Sequence, residues 1–210
     1  ASPVREAGEL YDVVDSSVGA QYDMEDVIAC IVDARGESNS DAPNAATLRP
    51  HFDEYKAEYG RSMVCGYARI GGRACGIVAN QRKLTERKMP GGTGGPSKSV
   101  NMPAVIYHDG ADKAARFIMD CNQKKIPIVF LHDTNGFMVG RDSEQAGIIR
   151  AGAKLVNAVS NSVVQKISVI IGGSYGAGHY AMCGRAFEPF LTYAWPGAKY
   201  AVMGARQAKG

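Results

Sequence analysis

The chain lacks any apolar run longer than a strand, so no membrane-spanning helix is predicted from it. It also lacks a C-x-x-C pair. Its five cysteines stand apart at 30, 65, 75, 121 and 183, which excludes a zinc ribbon within this segment, and no metal is expected. An odd count of scattered cysteines without a signal peptide reads as reduced thiols in an intracellular protein. Net charge is only +3 and no Lys/Arg block could track a phosphate backbone, so nucleic acid is not an expected partner. The opening residues ASPVREAGELYDVVD have neither the apolar core of a secretion signal nor an Arg/Ser-rich transit pattern. What remains is the composition of a globular protein: 210 residues, 45% hydrophobic and 21% charged, enough to bury one good core. The glycines gather in turns rather than in a repeat, which makes the turns the place to look for function.

Residues 1–20 are expected to be a linker, and residues 21–210 one domain. Both ends look abrupt, with VMGARQAKG stopping where a helix is starting, as in a piece of a longer polypeptide. Asp23 is placed to cap a helix over about 24–33, with Val27, Ile28, Ile31 and Val32 on one side. Residues 36–46 read as a polar loop, and 51–56 (HFDEYK) as a short surface helix. Two strands, 63–70 and 73–79, meet at Gly71-Gly72, a hairpin signal. Residues 81–102 are basic, glycine-rich and without periodicity. Their Gly91-Gly92-Thr93-Gly94-Gly95 run has no Gly-Lys-Ser/Thr after it and no buried strand before it, so a surface loop is expected rather than a phosphate loop. Further on come a helix over about 110–124, a strand over 126–132, and the turn Asp133–Gly136. A long helix over about 143–160 follows, then a third strand from Ile167 and short segments at 190–195 and 199–203. The order of strand, glycine turn and helix, repeated, predicts an α/β domain with function at the turns after strands.

The most informative stretch is 167–184, ISVIIGGSYGAGHYAMCG. β-Branched residues make a buried strand, and Gly172, Gly173, Gly176 and Gly178 allow backbone angles and close approaches that side chains forbid. A helix starting there has first-turn N–H groups with no internal partner, suited to an oxygen on which negative charge develops. Gly172–Gly176 also satisfies G-x-S-x-G, the nucleophile elbow of α/β-hydrolases. That reading needs an acid and then a histidine after Ser174. No Asp follows Ser174, and His179, the one later histidine, is five residues away, so the hydrolase is the weaker alternative.

The segments IPIVFLHDTNGFMVGRDSEQAGIIRAGAKLVNAVS and VQKISVIIGGSYGAGHYAMCGRAFEPFLTYAWPGAKYAVMGARQA resemble the C-terminal half of the carboxyltransferase (β) subunits of biotin-dependent acyl-CoA carboxylases. SYGAGHYAMCGRA is most similar to the methylcrotonyl-CoA carboxylase branch. The resemblance implies a crotonase-like superhelix of ββα units and carboxyl transfer between carboxybiotin and an acyl-CoA. The active site would form between the N-terminal domain of one subunit and the C-terminal domain of another. It further implies that the Ala177 and Gly178 amides hold the biotin carbonyl. Gly136, Phe137, Met138, Val139 and Gly140, with Tyr175 and Gly176, would line the biotin pocket, and His179 and Tyr180 would lie on the substrate side. Implied partners are a biotin carrier protein or domain, the N-terminal carboxyltransferase domain, and biotin carboxylase or membrane decarboxylase subunits in an oligomer. The compartment would be the cytoplasm, or the mitochondrial matrix in a eukaryote. Tyr180 stands where propionyl-type relatives carry an acidic residue, which argues against a short saturated acyl group. His132-Asp133 and the 81–102 insertion are closer to glutaconyl-CoA decarboxylase α-subunits, which run the transfer in reverse. A non-catalytic docking module for a biotin carrier is the third alternative.

Overall fold

The computed structural model describes residues 2–14, 17, 19–35, 48–89 and 97–204. The polar loop at 36–46, the glycine run at 91–95 and the end at 205–210 lie outside them.

The hairpin forms as its sequence predicts. Strands β4 (Met63–Ile70) and β5 (Arg73–Asn80) pair antiparallel from Ile70↔Arg73 to Met63↔Asn80. Gly71 and Gly72 close the turn at φ +58° and +78°, angles that a side chain resists. Further strands complete the sheet: β3 (Phe52–Glu54), β9 (Ile128–Thr134), β11 (Lys166–Tyr175), β12 (Leu191–Ala194) and β13 (Lys199–Ala201). The sheet order is β12-β11-β9-β5-β4-β3, with β13 pairing the end of β11. β5, β9, β11, β12 and β13 run parallel, and β3–β5 antiparallel.

Central strands covered on both faces need apolar residues at consecutive positions. In β5 and β9, Val78 and Phe130 pack to one face against the helices α3 (His108–Gln123) and α5 (Ile148–Ser160), alongside Phe117, Ile118, Leu155 and Val159. Their neighbours Ile77 and Leu131 pack to the other face, with Leu10 of helix α1 (Leu10–Val13) and Val27 and Ile28 of helix α2 (Met24–Ala29). All five cysteines are free and buried. Burial pushes the Cys65 and Cys121 thiols up to about 12 and Cys75 to about 11. No helix among the described residues is long and apolar enough to cross a membrane.

Several expectations are corrected. The segment read as a linker folds onto the body: Leu10 is buried, Tyr11 packs on Trp195, and Pro3 bridges to Asp33. The predicted helix at 51–56 is instead β3, because Phe52 is drawn over Gly66 of β4, where a Cβ would lie 2.5 Å from its ring. The expected 81–102 loop carries two antiparallel strands, β6 (Thr85–Met89) and β7 (Ser97–Asn101). The helix read over 143–160 is split into α4 (Arg141–Gln145) and α5 by Gly147 in the left-handed region. Two short strands, β8 (Val105–Ile106) and β10 (Gly136–Phe137), pair parallel in a second small sheet. The strand–strand–helix unit implied by the resemblance thus appears as β4-β5-α3 and again as β9-β10-α5. Strands β1 (Ala34–Arg35) and β2 (Arg49–Pro50) make a separate antiparallel pair.

Candidate active site at two glycine turns

β9 and β11 end side by side, and their turns touch. Thr134 closes β9, its hydroxyl accepting from the Gly136 amide (3.0 Å) and donating to the Ala104 carbonyl (3.3 Å). β11 runs to Tyr175, and helix α6 (Gly176–Ala181) starts at once, with Gly176 at φ +52°. Gly178 sits buried against the first turn: a Cβ there would lie 2.9 Å from both the Gly136 Cα and the Thr134 hydroxyl. Only glycine allows that approach. The Tyr175 side chain does not cap α6, and first-turn amides have no carbonyl four residues back. Ala177 is exposed and Gly178 buried. Neither 134–140 nor 175–180 contains a charged residue, so backbone amides are the electrophilic groups on offer.

The other expected residues fall into two groups. Phe137 turns into the core, its ring 3.3 Å from where a Gly152 Cβ would stand on α5. Met138 is half-buried, its amide bonded to the Ile106 carbonyl and its own carbonyl accepting from Ser143. Val139 is 79% exposed and Gly140 stands open beside it at φ +107°. The Tyr175 ring folds back over Gly173. Tyr180 is 52% exposed and meets Phe187 edge-on. Two cavities of about 240 and 230 Å³ lie elsewhere, around Tyr67 and Arg69 and around Glu25 and Lys83. Val139, Gly140, Ala177 and Tyr180 are all exposed, so these turns meet solvent.

Behind them lies an arrangement that sequence reasoning did not assemble. The Ser174 Oγ is 3.0 Å from Nδ1 of His132 and 2.9 Å from Nδ1 of His179. Ser and His of the rejected nucleophile elbow do meet. Ser174, however, is wholly buried within β11 between the two rings, where no substrate carbonyl can reach it. Burial lowers the His132 pKa to about 3, helped by the neighbouring His179 and opposed by the Met182 backbone. Burial lowers that of His179 as well.

Comparison with known proteins decides the family. The family described as "Carboxyl transferase domain" matches residues 1–210. The chain belongs to the carboxyl transferase domain family. It is 40% identical over 208 residues to a probable biotin-dependent acyl-coenzyme A carboxylase beta2 subunit of Mycobacterium tuberculosis, covering 99% of this chain and 32% of the relative. It is 41% identical over 206 residues to a probable mitochondrial methylcrotonoyl-CoA carboxylase beta chain of Drosophila melanogaster, covering 98% and 29%. The fold matches the crystal structure of the Pseudomonas aeruginosa geranyl-CoA carboxylase beta subunit with a TM-score of 0.77 at 38% identity, over 99% of this chain and 33% of that one. These neighbours make the fold crotonase-like. The chain spans about a third of the length of the relatives it matches.

In this carboxyl transferase domain, the bulge of β11 has a cause that no local motif reveals. Ile170 pairs with His132 and Ser174 with Thr134, so Ile171, Gly172 and Gly173 all face the single residue Asp133. A Cβ on Gly172 would lie 2.6 Å from the Asp133 carboxyl, and the Gly173 amide donates to it at 2.8 Å. Tyr22 and Arg82 donate to the same carboxylate at 2.5 and 3.1 Å. The first two glycines of GGSYGAG therefore make room for a buried carboxylate, and the last two serve the surface. His132 and Asp133 lie inside the strand rather than at its end. Their partners are 42, 111 and 51 residues away, and no sequence spacing announces them.

Proposed function

We propose that this chain is the biotin-side, C-terminal carboxyltransferase domain of a biotin-dependent acyl-CoA carboxylase, and that the Ala177 and Gly178 amides are its oxyanion-binding groups. The observation that carries the reading is the contact of Gly178 with Gly136 and Thr134, which joins the two turns into one uncharged, glycine-lined surface. Such a surface fits a neutral ureido ring, for which a charged side chain would be a poor neighbour. Biotin, brought by a carrier protein or domain, would supply a nitrogen that carries and releases the carboxyl group. Ala177 and Gly178 would direct N–H groups at its carbonyl oxygen, stabilising charge there without any reorganisation of the protein. Met138, Val139, Gly140, Tyr175 and Gly176 would shield that group from water, and Phe137 would hold this wall against α5. Tyr180, exposed at the end of α6, would face the acyl-CoA held by the N-terminal domain of another subunit.

The partners follow from the same reading: a biotin carrier, the N-terminal carboxyltransferase domain, biotin carboxylase, and further copies in an oligomer. The relative whose solved structure is titled a hexamer assembly is the transcarboxylase 12S, 36% identical with a TM-score of 0.74. The cytoplasm, or the mitochondrial matrix in a eukaryote, is the compartment that goes with acyl-CoA chemistry. His132 and Asp133, which in sequence lean towards the decarboxylases, are buried, and give no reason to prefer the reverse direction.

The test is transfer of labelled carboxyl from a carboxylated biotin carrier to an acyl-CoA by the intact subunit that carries this chain, against the Gly178→Val variant. Label in the acyl-CoA product with the native protein, and its loss in a folded variant, is expected. Full transfer by the variant would remove the amides from the mechanism.

A further inference from the structure

We propose that the ribbon of β6 and β7 is a docking arm for the biotin carrier, receiving an acidic and partly apolar face of that partner beside the glycine turns. This role rests on the carboxyltransferase reading and goes beyond it by naming where the carrier binds and by what chemistry.

The first observation is position. β5, β9 and β11 run parallel, so Asn80, Thr134 and Tyr175 end at one edge of the sheet, where the two turns lie. The ribbon springs from that edge directly after β5, and its return is tied to the candidate site. The Ala104 amide donates to the Gln81 carbonyl at 2.9 Å, closing the root of the ribbon. The Ala104 carbonyl accepts from the Asn135 amide at 2.7 Å and from the Thr134 hydroxyl at 3.3 Å. Ala104 is held there at φ +60°, the left-handed region that alanine resists. β8 then pairs with β10, and the Ile106 carbonyl accepts from the Met138 amide. The ribbon is thus anchored on the wall assigned to biotin.

The second observation is chemistry. Residues 82–102 hold five basic residues and one acidic, an excess larger than the +3 of the whole chain. Arg82 and Lys83 are engaged at the root, with Asp133 and Asp23. Further out, the register sets Lys88 directly opposite Lys98. Directly opposed residues share a face of a ribbon, and successive ones alternate. Thr85 and Asn101 are an opposed pair and both buried, which makes theirs the inner face. Lys88 and Lys98 fall on the outer face with Glu86 and Val100, which are exposed. Like charges directly opposite destabilise a two-stranded ladder, so two facing lysines suit a partner that brings negative charge. Val100 is 57% exposed, and Leu84 and Met102 at the root are 49% and 58% exposed, which adds an apolar strip beside the basic one.

These features favour a protein over a small anion. The phosphates of an acyl-CoA would engage the lysines but leave the apolar strip uncovered, and on the same reading that substrate is held by another domain. A protein face with carboxylates beside apolar side chains covers both. The carrier has to come to this domain, because the ring it delivers is held here. Five-residue strands span about 17 Å, which gives the small area of a transient contact, as a carrier that arrives and leaves requires.

Fluorescence anisotropy of the labelled biotin carrier of the same enzyme, titrated with the intact subunit, reads docking without turnover. Lys88→Glu turns the facing lysines into an opposite-charge pair, so the thermal midpoint should not fall. The Kd for the carrier should nevertheless rise about tenfold and lose much of its salt dependence. Val100→Ser should raise Kd about threefold with the salt dependence kept. In carboxyl transfer, Lys88→Glu should raise KM for the carrier while kcat, KM for the acyl-CoA and transfer from free carboxybiotin stay native. A native Kd and a native KM for the carrier in Lys88→Glu would overturn the docking arm. A rise in KM for the acyl-CoA alone would overturn it too, and give the lysines to the CoA phosphates. A native protein that binds the carrier through Lys88 yet transfers no carboxyl would sink the carboxyltransferase reading and leave the docking arm standing.

Discussion

The phenol of Tyr22 donates a 2.5 Å hydrogen bond to Oδ2 of Asp133, joining residues 111 apart in the chain. Tyr22 is buried, and its pKa is pushed up strongly, first by that burial and then by the charge of Asp133. On the other carboxylate oxygen, Asp133 receives Arg82 and the Gly173 amide, so one buried side chain ties the N-terminal segment and the end of β5 to the bulge ahead of the site.

That network sets a graded response to mutation. Tyr22→Phe removes one hydrogen bond to a charged group and should cost about 2 kcal/mol. Asp133→Ala removes the acceptor for three donors and leaves the Arg82 side chain, only 15% exposed, without its ion pair; about 4 kcal/mol is expected. Urea denaturation of the two single variants and the double variant measures both costs. Additive losses would show that Tyr22 and Asp133 do not act together.

Gly178→Ala tests the close approach of the turns. A methyl there meets Gly136 and Thr134 at about 3 Å, so the turns must part. Loss of one well-placed oxyanion donor typically lowers kcat by roughly 10²–10³-fold. Carboxyl transfer should fall by about that factor while the thermal midpoint drops by a few degrees. A collapse of the midpoint with normal kcat in the folded fraction would mark Gly178 as structural alone.

His132 makes the fold acid-sensitive. Its pKa is about 3 when folded against an ordinary 6.5, so above pH 6.5 it is neutral in both states and has no effect. As pH falls through 6.5 the unfolded chain takes up a proton that the folded chain refuses. Stability should be lost steadily down to about pH 3, by roughly 3 kcal/mol between pH 6.5 and 4 from this group. His132→Gln should flatten that part of a stability–pH curve measured in urea. An unchanged slope would show that His132 titrates normally.

Lys113 is fully buried on α3, bonded to Glu54 of β3 at 3.1 Å and to the Met63 carbonyl at 3.0 Å. Its partner Glu54 keeps 20% of its side chain in water. Glu54→Ala should therefore destabilise by about 3 kcal/mol, because the enclosed ammonium loses its counter-charge. Lys113→Met should cost less, since the stranded carboxylate can rehydrate. Equal costs in thermal or urea unfolding would contradict that asymmetry.

What was legible in the chain was local. Gly71-Gly72 announced its hairpin because a two-residue turn needs both residues at positive φ, a demand glycine alone meets cheaply. Consecutive apolar residues in 128–131 and 169–171 marked buried strands, and the glycine turns after them marked the candidate site. The misreadings have one cause. HFDEYK has no strong preference of its own and becomes a strand because β4 offers an edge beside Gly66. The segment before residue 20 is polar enough to read as a linker, yet Leu10 finds a core to enter.

The sequence by itself determined the hairpin, the alternation of strand and helix, the membership in a family of carboxyltransferases, and the two turns where amides gather. Only the tertiary structure decided which glycines serve the surface and which make room for Asp133. It alone put Ser174 between two imidazoles and brought Tyr22 and Arg82 to one carboxylate. The physical reason is range. Backbone angles and hydrophobic periodicity act over a few residues, whereas a buried polar group takes whatever partner the packing of distant strands delivers to it.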